Sequence, residues 1–473
     1  MIRAHRVPDF APTRMAHADA GAAPVAAGGA LAPRGISRLR MLTLATLLAG
    51  TSGWTQAQSL VDLFEAARQF DAAYLAAQAQ FEADQARAEQ AKAGLRASVG
   101  LNGGANWTNT NSSFNPLDRT SNGQNVALAG SYPLYRPANQ IAAEQAEKSL
   151  VAAQASLTSA EQDLIVRTAQ AYFDVLAAED NLTFVQAQKA AVAEQLAAAK
   201  RNFEVGASTI TDTREAEARF DLVVAQEIAA QNNVRVARLA LDQLVGRTGT
   251  QPWRLTAPVA LPAVEPAEVN DWVNRSQSEH PQIRAASAGL EIAQLETRRA
   301  DAGRKPTVDA VAQYQVNRGL GNSLPANYVR NQNASVGVQF NLPLYTGNAV
   351  QNRVKEAMAL EERAAADLEA ARRNIAQATR AAYFGVVSGQ GQVKALEAAE
   401  VSSQSALDAN RLGYQVGVRI NIDVLNAQSQ LFQTKANLAS ARYNVLVGGL
   451  RLRQASGVLQ ATDLQPINAL LAR

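Results

Sequence analysis

The chain contains four short segments in which apolar and polar residues alternate with the period of a β-strand. They are residues 99–107, 126–134, 308–316 and 336–344. A polar stretch, residues 108–123, separates the first from the second. Each segment has about the ten residues that a tilted strand needs to cross a membrane, with one apolar face and one small or polar face. The pattern therefore predicts two transmembrane β-hairpins.

Two soluble hairpins that cover a core would show the same alternation. Isolated hairpins are marginally stable, however, and the long helices described next provide no obvious core for them. Four strands in lipid would also expose unpaired edges, which hydrocarbon does not tolerate. We therefore expect the chain to oligomerise and close the sheet.

The rest of the chain is dominated by long helical patterns. Residues 138–203 contain no Pro or Gly and, as one helix, would extend about 100 Å. A counterpart covers residues 349–412, and shorter helices are predicted over 212–245 and 423–454. In the last of these, apolar residues recur every seven positions, at Val424, Leu431, Leu438, Val445 and Leu452. This period predicts coiled-coil-like packing between neighbouring helices.

The two halves of the chain are an internal repeat with an offset near 210 residues. Matching pairs of segments are 71–82 with 280–291, 133–135 with 343–345, 171–173 with 382–384, and 205–206 with 416–417. The Pro-rich residues between the halves are typical of a linker. The predicted organisation is a leader (1–57), a first repeat (58–250), a linker (251–268), a second repeat (269–457) and a C-terminal tail (458–473).

The leader has the parts of a secretory signal. Three arginines precede the apolar run of residues 41–50, and small residues at positions 55 and 57 fit a cleavage site. The run is too short to cross a bilayer as a helix, so we expect cleavage near Ala57 and export from the cytoplasm.

Composition removes several classes of function. The 473 residues include no Cys and three His, which excludes thiolate metal sites, a Cys nucleophile and a Cys-linked lipid anchor. Basic and acidic residues number 45 and 42, and the leader holds six of the basic and two of the acidic ones, so the rest of the chain is nearly neutral and no nucleic-acid partner is indicated. His280 precedes Pro281 as at a helix start, and the Gly319–Gly321 pair is interpreted as a loop. We expect no enzyme activity, cofactor or metal.

Several short motifs together resemble the TolC-like family of Gram-negative outer membrane channels, over nearly all of residues 58–460. They are the two-fold repeat, the Pro-Leu-Tyr at residues 133–135 and 343–345, the segment 203–206 followed by Thr211 and Asp212, and the segment 414–417 followed by residues 423–427. The resemblance implies a mainly α fold in which each protomer of a trimer adds four strands to a twelve-stranded β-barrel. It also implies a long helical periplasmic tunnel with a small mixed domain around its middle.

The resemblance further implies a passive export duct that works with an inner-membrane transporter and a periplasmic adaptor. The absence of Cys makes the chain more similar to the branch that serves type I secretion than to the lipidated branch of drug pumps. Efflux of small toxic molecules stays open as an alternative cargo. A periplasmic coiled-coil scaffold with soluble hairpins is the alternative that does not form a channel.

The candidate site lies where each long helix turns into its shorter partner. In the resembling family these turns form the periplasmic tip, where contacts between helices close the pore and acidic side chains line it. When the family's motif is matched to this sequence, Thr211 and Asp212 would form polar contacts with Tyr414 and Arg419. Asp423 would project into the aperture.

A simpler interpretation of the same residues is helix capping. Gly206 and Gly417 would end helices in a left-handed cap, Thr211 and Asp423 would cap the next helices, and Arg419 would be a surface residue. Capping and gating are compatible. The polar cluster recurs in both halves of the chain, which favours a function.

The sequence departs from the family pattern at Asn426, where some members have a second acidic residue. Asp423 alone would place three carboxylates around a trimer axis. We expect such a ring to favour cations, less strongly than a doubled ring.

Overall fold

The computed structural model describes residues 58–112, 115–256, 261–320 and 328–472. The predicted leader and its cleavage site lie outside these residues. In the described part of the chain the helices are α1 (Leu60–Phe70), α2 (Ala72–Ala93), α3 (Pro137–Glu204), α4 (Ile210–Val245), α5 (Val269–Glu279), α6 (Pro281–Ala302), α7 (Ala349–Gln415), α8 (Asn421–Ala455) and α9 (Leu464–Asn468). The strands there are β1 (Ser98–Ser112), β2 (Asn115–Tyr135), β3 (Arg254–Leu255), β4 (Thr307–Leu320), β5 (Tyr328–Asn341) and β6 (Leu471–Ala472).

Four strands form one antiparallel sheet in the order β1-β2-β4-β5. Its register aligns the apolar residues of all four strands on one face, because directly opposed residues point to the same side. One such row contains Leu101, Leu128, Tyr314 and Ala334. The apolar face is open to the surroundings, and Val336 is 90% exposed. Strands β1 and β5 are the two outer strands of this sheet.

The strands are longer than the alternation predicts. Most of the polar stretch 108–123 is paired strand, with Trp107 opposite Asn122 and Asn109 opposite Thr120. Gly319 also lies within a strand, β4, so its interpretation as a loop was wrong, while Gly321 lies outside the described residues. Strands pair through backbone hydrogen bonds, which do not depend on the side chains. A strand with two polar faces shows no alternation of apolar and polar residues and is therefore not predicted from that pattern.

The two long helices are confirmed, at 68 residues for α3 and 67 for α7. Residues 60–93, before the first hairpin, form two helices that part at Asp71. The Asp71 carboxylate caps α2 by accepting from Tyr74 N at 2.8 Å. It also accepts from both terminal nitrogens of Arg167 on α3, at 2.9 and 3.0 Å. These bonds from Arg167 lower the pKa of Asp71.

The helices pack as the seven-residue pattern predicts. Helix α4 lies against α3, α8 lies against α7, and α8 also contacts α3. All five heptad residues of α8 are buried, at Val424, Leu431, Leu438, Val445 and Leu452. None of the described helices combines the length and apolarity that a membrane-spanning helix requires.

A repeated Tyr-Phe pair in the middle of each long helix holds the linker between the halves. Tyr172 and Tyr383 each contact the following phenylalanine edge to face, with ring centroids 5.4 and 5.5 Å apart. The Tyr172 hydroxyl donates to the Trp253 carbonyl at 2.9 Å, and the Tyr383 hydroxyl donates to the Ala267 carbonyl. The sequence repeat is therefore also a repeat of contacts.

The linker and the C-terminal segment meet beside this region. Strands β3 and β6 pair as a two-stranded sheet, with Arg254 opposite Ala472 and Leu255 opposite Leu471. The core beneath them includes Phe173 of α3, whose ring stacks on Tyr443 of α8 at 5.5 Å. A small mixed α and β region thus surrounds the middle of the long helices.

Candidate functional site at the helical turns

The two long helices end in turns of the same construction. At the end of α3, Gly206 has φ 74° and Ala207 N donates to the Asn202 carbonyl at 2.7 Å. At the end of α7, Gly417 has φ 78° and Val418 N donates to the Gly413 carbonyl at 2.9 Å. These are the left-handed caps that the sequence predicts. Both glycines are there for their backbone angle, since a Cβ at either position would meet nothing within 4 Å.

Gly413 has a different purpose, which sequence reasoning missed. It lies in the last turn of α7, and the stem of Arg419 crosses the helix there. A Cβ at Gly413 would lie 2.7 Å from Arg419 Cγ and 3.3 Å from its Cβ. The absent side chain therefore allows Arg419 to lie against the end of its own helix.

Helix α4 begins with a capping box formed by Thr209 and Asp212. Thr209 Oγ1 accepts from Asp212 N at 3.2 Å, and Asp212 Oδ2 accepts from Thr209 N at 3.0 Å and from its hydroxyl at 2.9 Å. The cap is thus Thr209, and the assignment of this role to Thr211 was wrong. Thr211 lies one residue into the helix with its side chain exposed.

Helix α8 begins without a side-chain cap. Its N-cap residue is the apolar Ile420, so the capping role assigned to Asp423 was also wrong. Asp423 instead lies in the first turn of the helix, where a carboxylate is favoured by the helix dipole. It pairs with Arg419, with 3.7 Å between Arg419 Nη1 and Asp423 Oδ2. This pair is largely exposed, and such pairs contribute little to stability.

Asn421 joins three helices at the tip. It is the first residue of α8 and is only 1% exposed. Its Oδ1 accepts from Gln195 Nε2 on α3, and its Nδ2 donates to the Asp212 carbonyl on α4 at 3.4 Å. The repeat offset of 211 places Ile210 at the matching position of the first half. The polar Asn421 in place of an apolar residue was a signal for a polar contact at this position, although not for its partner.

Tyr414 packs against α8 and meets α3 through its hydroxyl. Its ring lies beside buried residues of α7 and α8, among them Leu407 and Val424. The Tyr414 oxygen accepts from Asn202 Nδ2 at 3.2 Å. Its own proton is left available to a further acceptor.

Within one protomer the structure does not join the predicted polar partners. In the described part of the chain, the Asp212 carboxylate bonds only to Thr209, while Tyr414 meets Asn202 and Arg419 meets Asp423. The predicted contacts of Thr211 and Asp212 with Tyr414 and Arg419 therefore require a neighbouring copy of the chain. They stay a prediction.

Two further polar contacts connect the helices near the tip. Asn426 on α8 accepts from Arg219 Nη2 on α4 at 3.0 Å, so a positive charge lies against this residue. Farther from the turn, Lys189 Nζ on α3 lies 2.7 Å from Glu227 Oε2 on α4. The hydrogen bond from Lys189 lowers the pKa of Glu227.

His280 occupies the helix start that the sequence predicts. It is the N-cap of α6, and its Nδ1 accepts from Gln282 N at 3.1 Å. Burial lowers the pKa of this imidazole. Among the described residues, no three His, Cys, Asp or Glu side chains are grouped so that they could hold a metal ion.

Comparison with known proteins agrees with the repeat and the fold. The model of the family described as "Outer membrane efflux protein" matches residues 63–247 and 272–458, one segment for each half. Outer membrane protein TolC of Vibrio cholerae is 31% identical over 437 residues, which cover 92% of this chain and 98% of that protein. The proteases secretion protein PrtF of Dickeya chrysanthemi is 28% identical over 451 residues, with 91% and 95% covered.

Solved structures share the fold at lower identity. The outer membrane protein VceC of Vibrio cholerae matches with a TM-score of 0.71 and 22% identity, over 84% of this chain and 96% of that chain. CusC matches with a TM-score of 0.71 and 18% identity, over 87% and 95%. The predicted TolC-like architecture is confirmed, and the chain belongs to the outer membrane efflux protein family.

Proposed function

We propose that this protein is the outer membrane exit duct of a type I export system, with three copies of the chain around one channel. The observation that carries the proposal is the four-stranded sheet, which has an apolar outer face and leads into α3 directly and into α7 through residues 342–348. A lipid-facing sheet that joins helices of about 100 Å is suited to lead a substrate from the periplasm through the outer membrane. It acts as a passive duct and not as an enzyme.

The two outer strands of the sheet need pairing partners, which neighbouring copies of the chain can provide. Strands β1 and β5 have no partner on their outer sides in the described chain, and their backbone groups would be unsatisfied in hydrocarbon. If β5 of each protomer pairs with β1 of the next, three copies close a barrel of twelve strands. A head-to-tail interface forms a closed ring when the rotation between neighbouring subunits divides a full turn evenly.

Helices α4 and α7 also have exposed apolar surfaces that neighbouring copies in the same ring could cover. Helix α4 packs on α3 and exposes Leu222, Ile228, Val236 and Leu239. Helix α7 packs on α8 and exposes Phe384, Val387, Val401 and Leu412. Exposed apolar stripes on both lateral helices support contact between neighbouring copies, because each stripe would otherwise face water.

At the tip, the same neighbours would complete the polar network. Asp212 retains acceptor capacity, the Tyr414 hydroxyl retains its proton, and Arg419 is held only by an exposed ion pair. These groups could bond across the protomer boundary, with Thr211 beside them, and hold the aperture closed. Asp423 would then contribute one carboxylate per protomer to the ring.

Protein cargo is supported by the likeness to a protease secretion protein, and efflux of small molecules is the second candidate. The second candidate is favoured by the efflux description of the family. A periplasmic adaptor and an inner-membrane transporter would complete either pathway and select the cargo.

Fractionation tests the duct. The protein should be recovered with outer membranes and should migrate as an SDS-resistant oligomer when the gel sample is not heated. Recovery in the soluble periplasmic extract as a monomer would support the coiled-coil scaffold instead.

Conductance in planar bilayers tests the aperture. Combining Tyr414→Phe with Arg419→Ser should raise single-channel conductance above that of the wild type and of either single variant, since the closed state loses contacts that the open state lacks. Asp423→Ala should reduce cation selectivity. An unchanged conductance in the double variant would remove these residues from the gate.

A further inference from the structure

Two arginines lie directly opposite each other on the face of the sheet that carries most of its apolar residues. Arg318 of β4 is the register partner of Arg330 of β5. They follow the alternation of Val316 and Tyr314 on β4 and of Val336 and Val338 on β5, so they share the outward face. Both side chains are exposed.

Their depth corresponds to one boundary of the hydrocarbon layer. Phe340 is the apolar residue of β5 nearest the helices, and Arg330 lies ten residues away from it on the same strand. Ten residues extend about 34 Å along a strand, or about 26 Å along the membrane normal at a tilt near 40°. The lipid-facing band of such barrels is about 25 Å tall, so the arginines lie at its far edge. Since the helices mark the periplasmic side, that edge is the outer leaflet.

Aromatic residues support this placement. Tyr328 lies two residues beyond Arg330 on the same face, and Trp107 of β1 is an exposed aromatic residue near the same end of the sheet. Aromatic side chains of this kind form the girdles at the two membrane interfaces of a barrel. The arginines therefore belong to the headgroup level and not to the middle of the bilayer.

The two positive charges have no protein counter-ion at this level. Among the side chains that the structure describes, no carboxylate lies within 4.0 Å of either guanidinium. Asp309 of β4 lies at the helical end of the sheet, where it pairs with Arg136 at 2.6 Å. Strand β1, which would lie beside β5 in a closed barrel, contains no Asp or Glu.

Like charges that face each other across two strands destabilise the pair unless an anion lies between them. Gln332, two residues along the same face, orients one arginine. With its amide oxygen turned toward Arg330, it accepts from Nε at 3.2 Å and from Nη2 at 2.9 Å. The remaining donors of Arg330 and those of Arg318 can then face one ligand.

We propose that Arg318 and Arg330 bind the phosphate of an anionic lipid headgroup in the outer leaflet, at one site per protomer. Guanidinium groups match phosphate oxygens in pairs of parallel hydrogen bonds, and a phosphate between them removes the repulsion. The inference rests on the proposed function, because it needs the sheet to lie in the outer membrane. It adds a specific lipid contact to the barrel.

Native mass spectrometry of trimers in detergent tests the site, with bis-phosphorylated lipid A as the probe. Up to three bound lipids per trimer are expected, with weaker binding of dephosphorylated lipid A and of phosphatidylethanolamine. A basic residue near anionic lipid changes affinity about fivefold, so Arg318→Gln or Arg330→Gln should weaken binding about fivefold and the double variant about twenty-five-fold. Lysine at both positions should retain most of the affinity, because it keeps the charge.

Arg363→Gln is the matched control, since Arg363 is exposed on α7 and pairs with Asp367 at 3.6 Å. It should bind lipid A as the wild type does. Equal binding by the double glutamine variant, or by dephosphorylated lipid A, would overturn the proposal. Full displacement by an equal concentration of inorganic phosphate would overturn the lipid assignment. Loss of the trimer in the wild type would instead count against the proposed function.

Discussion

Asn421→Ala should loosen the helical tip without unfolding the protein. The change removes the bond from Gln195 and the longer one, 3.4 Å, to the Asp212 carbonyl. One hydrogen bond contributes about 1 kcal/mol net, and the second is near the limit of a hydrogen bond. Gln195 is partly exposed and can bond to water instead. The expected loss is therefore about 1 to 2 kcal/mol, confined to the start of α8.

Hydrogen exchange of the purified trimer, followed by mass spectrometry, measures this loss where it occurs. A loss of about 1 to 2 kcal/mol corresponds to about fivefold to thirtyfold faster exchange in peptides that cover residues 417–425. Peptides from the middle of α3 should not change.

Asn410→Ala provides the control. Asn410 is partly exposed and donates to the Ala406 carbonyl within its own helix, so its replacement should leave the tip unchanged. If Asn421→Ala and Asn410→Ala exchange at the same rate over residues 417–425, the three-helix contact does not stabilise the tip.

Three further variants test the sheet, a helix cap and an ion pair. Val336→Arg places a charge near the middle of the lipid face and should destabilise the assembled barrel by about 2 to 4 kcal/mol in an assembly assay. Ser335→Arg, on the inward face, should be tolerated. Equal assembly of the two variants would refute the register. Gly417→Ala should destabilise the protein by about 1 kcal/mol in thermal unfolding, because φ at Gly417 is 78°. Gly385→Ala, inside α7, should stabilise it slightly. A stability change of the same sign in both variants would refute the cap. Asp71→Asn keeps a capping side chain but loses the carboxylate, whose pKa is lowered by its arginine partner. That stabilisation is present above about pH 4 and lost as the pH falls through the folded pKa, so the stability difference from wild type should shrink in acid; a constant difference would refute it.

The long helices and the inner parts of the strands could be predicted because burial imposes a period on them. Residues 138–203 contain no helix breaker, and Val424 and Leu431 are buried at the spacing that two packed helices require. The outer parts of β1 and β2 could not be predicted, because both of their faces are polar and only backbone pairing defines them. Periodicity detects a strand when one face is apolar.

The two turns that carry the candidate site were predicted in place, but the contacts of their side chains within one protomer were not. The recurring Val-Gly marks both turns, since a left-handed cap requires glycine there. The bonding partners depend on which helix each side chain meets, and a single sequence does not specify that. Asn421, a lone buried polar residue at a helix start, is the clearest case, because nothing in its local sequence indicates Gln195 as a partner 226 residues away.

Cross-linking tests most directly whether strands β5 and β1 of neighbouring copies pair to close one barrel. The chain has no Cys, so a variant with Gly100→Cys on β1 and Gly337→Cys on β5 can be treated in outer membranes with a bis-maleimide shorter than about 10 Å. Within one chain these strands are three spacings apart, or about 14 Å, so the reagent should join only different copies. We expect a ladder of dimer and trimer that stops at three chains. Monomer alone, or a ladder that continues past three, would contradict the closed trimer.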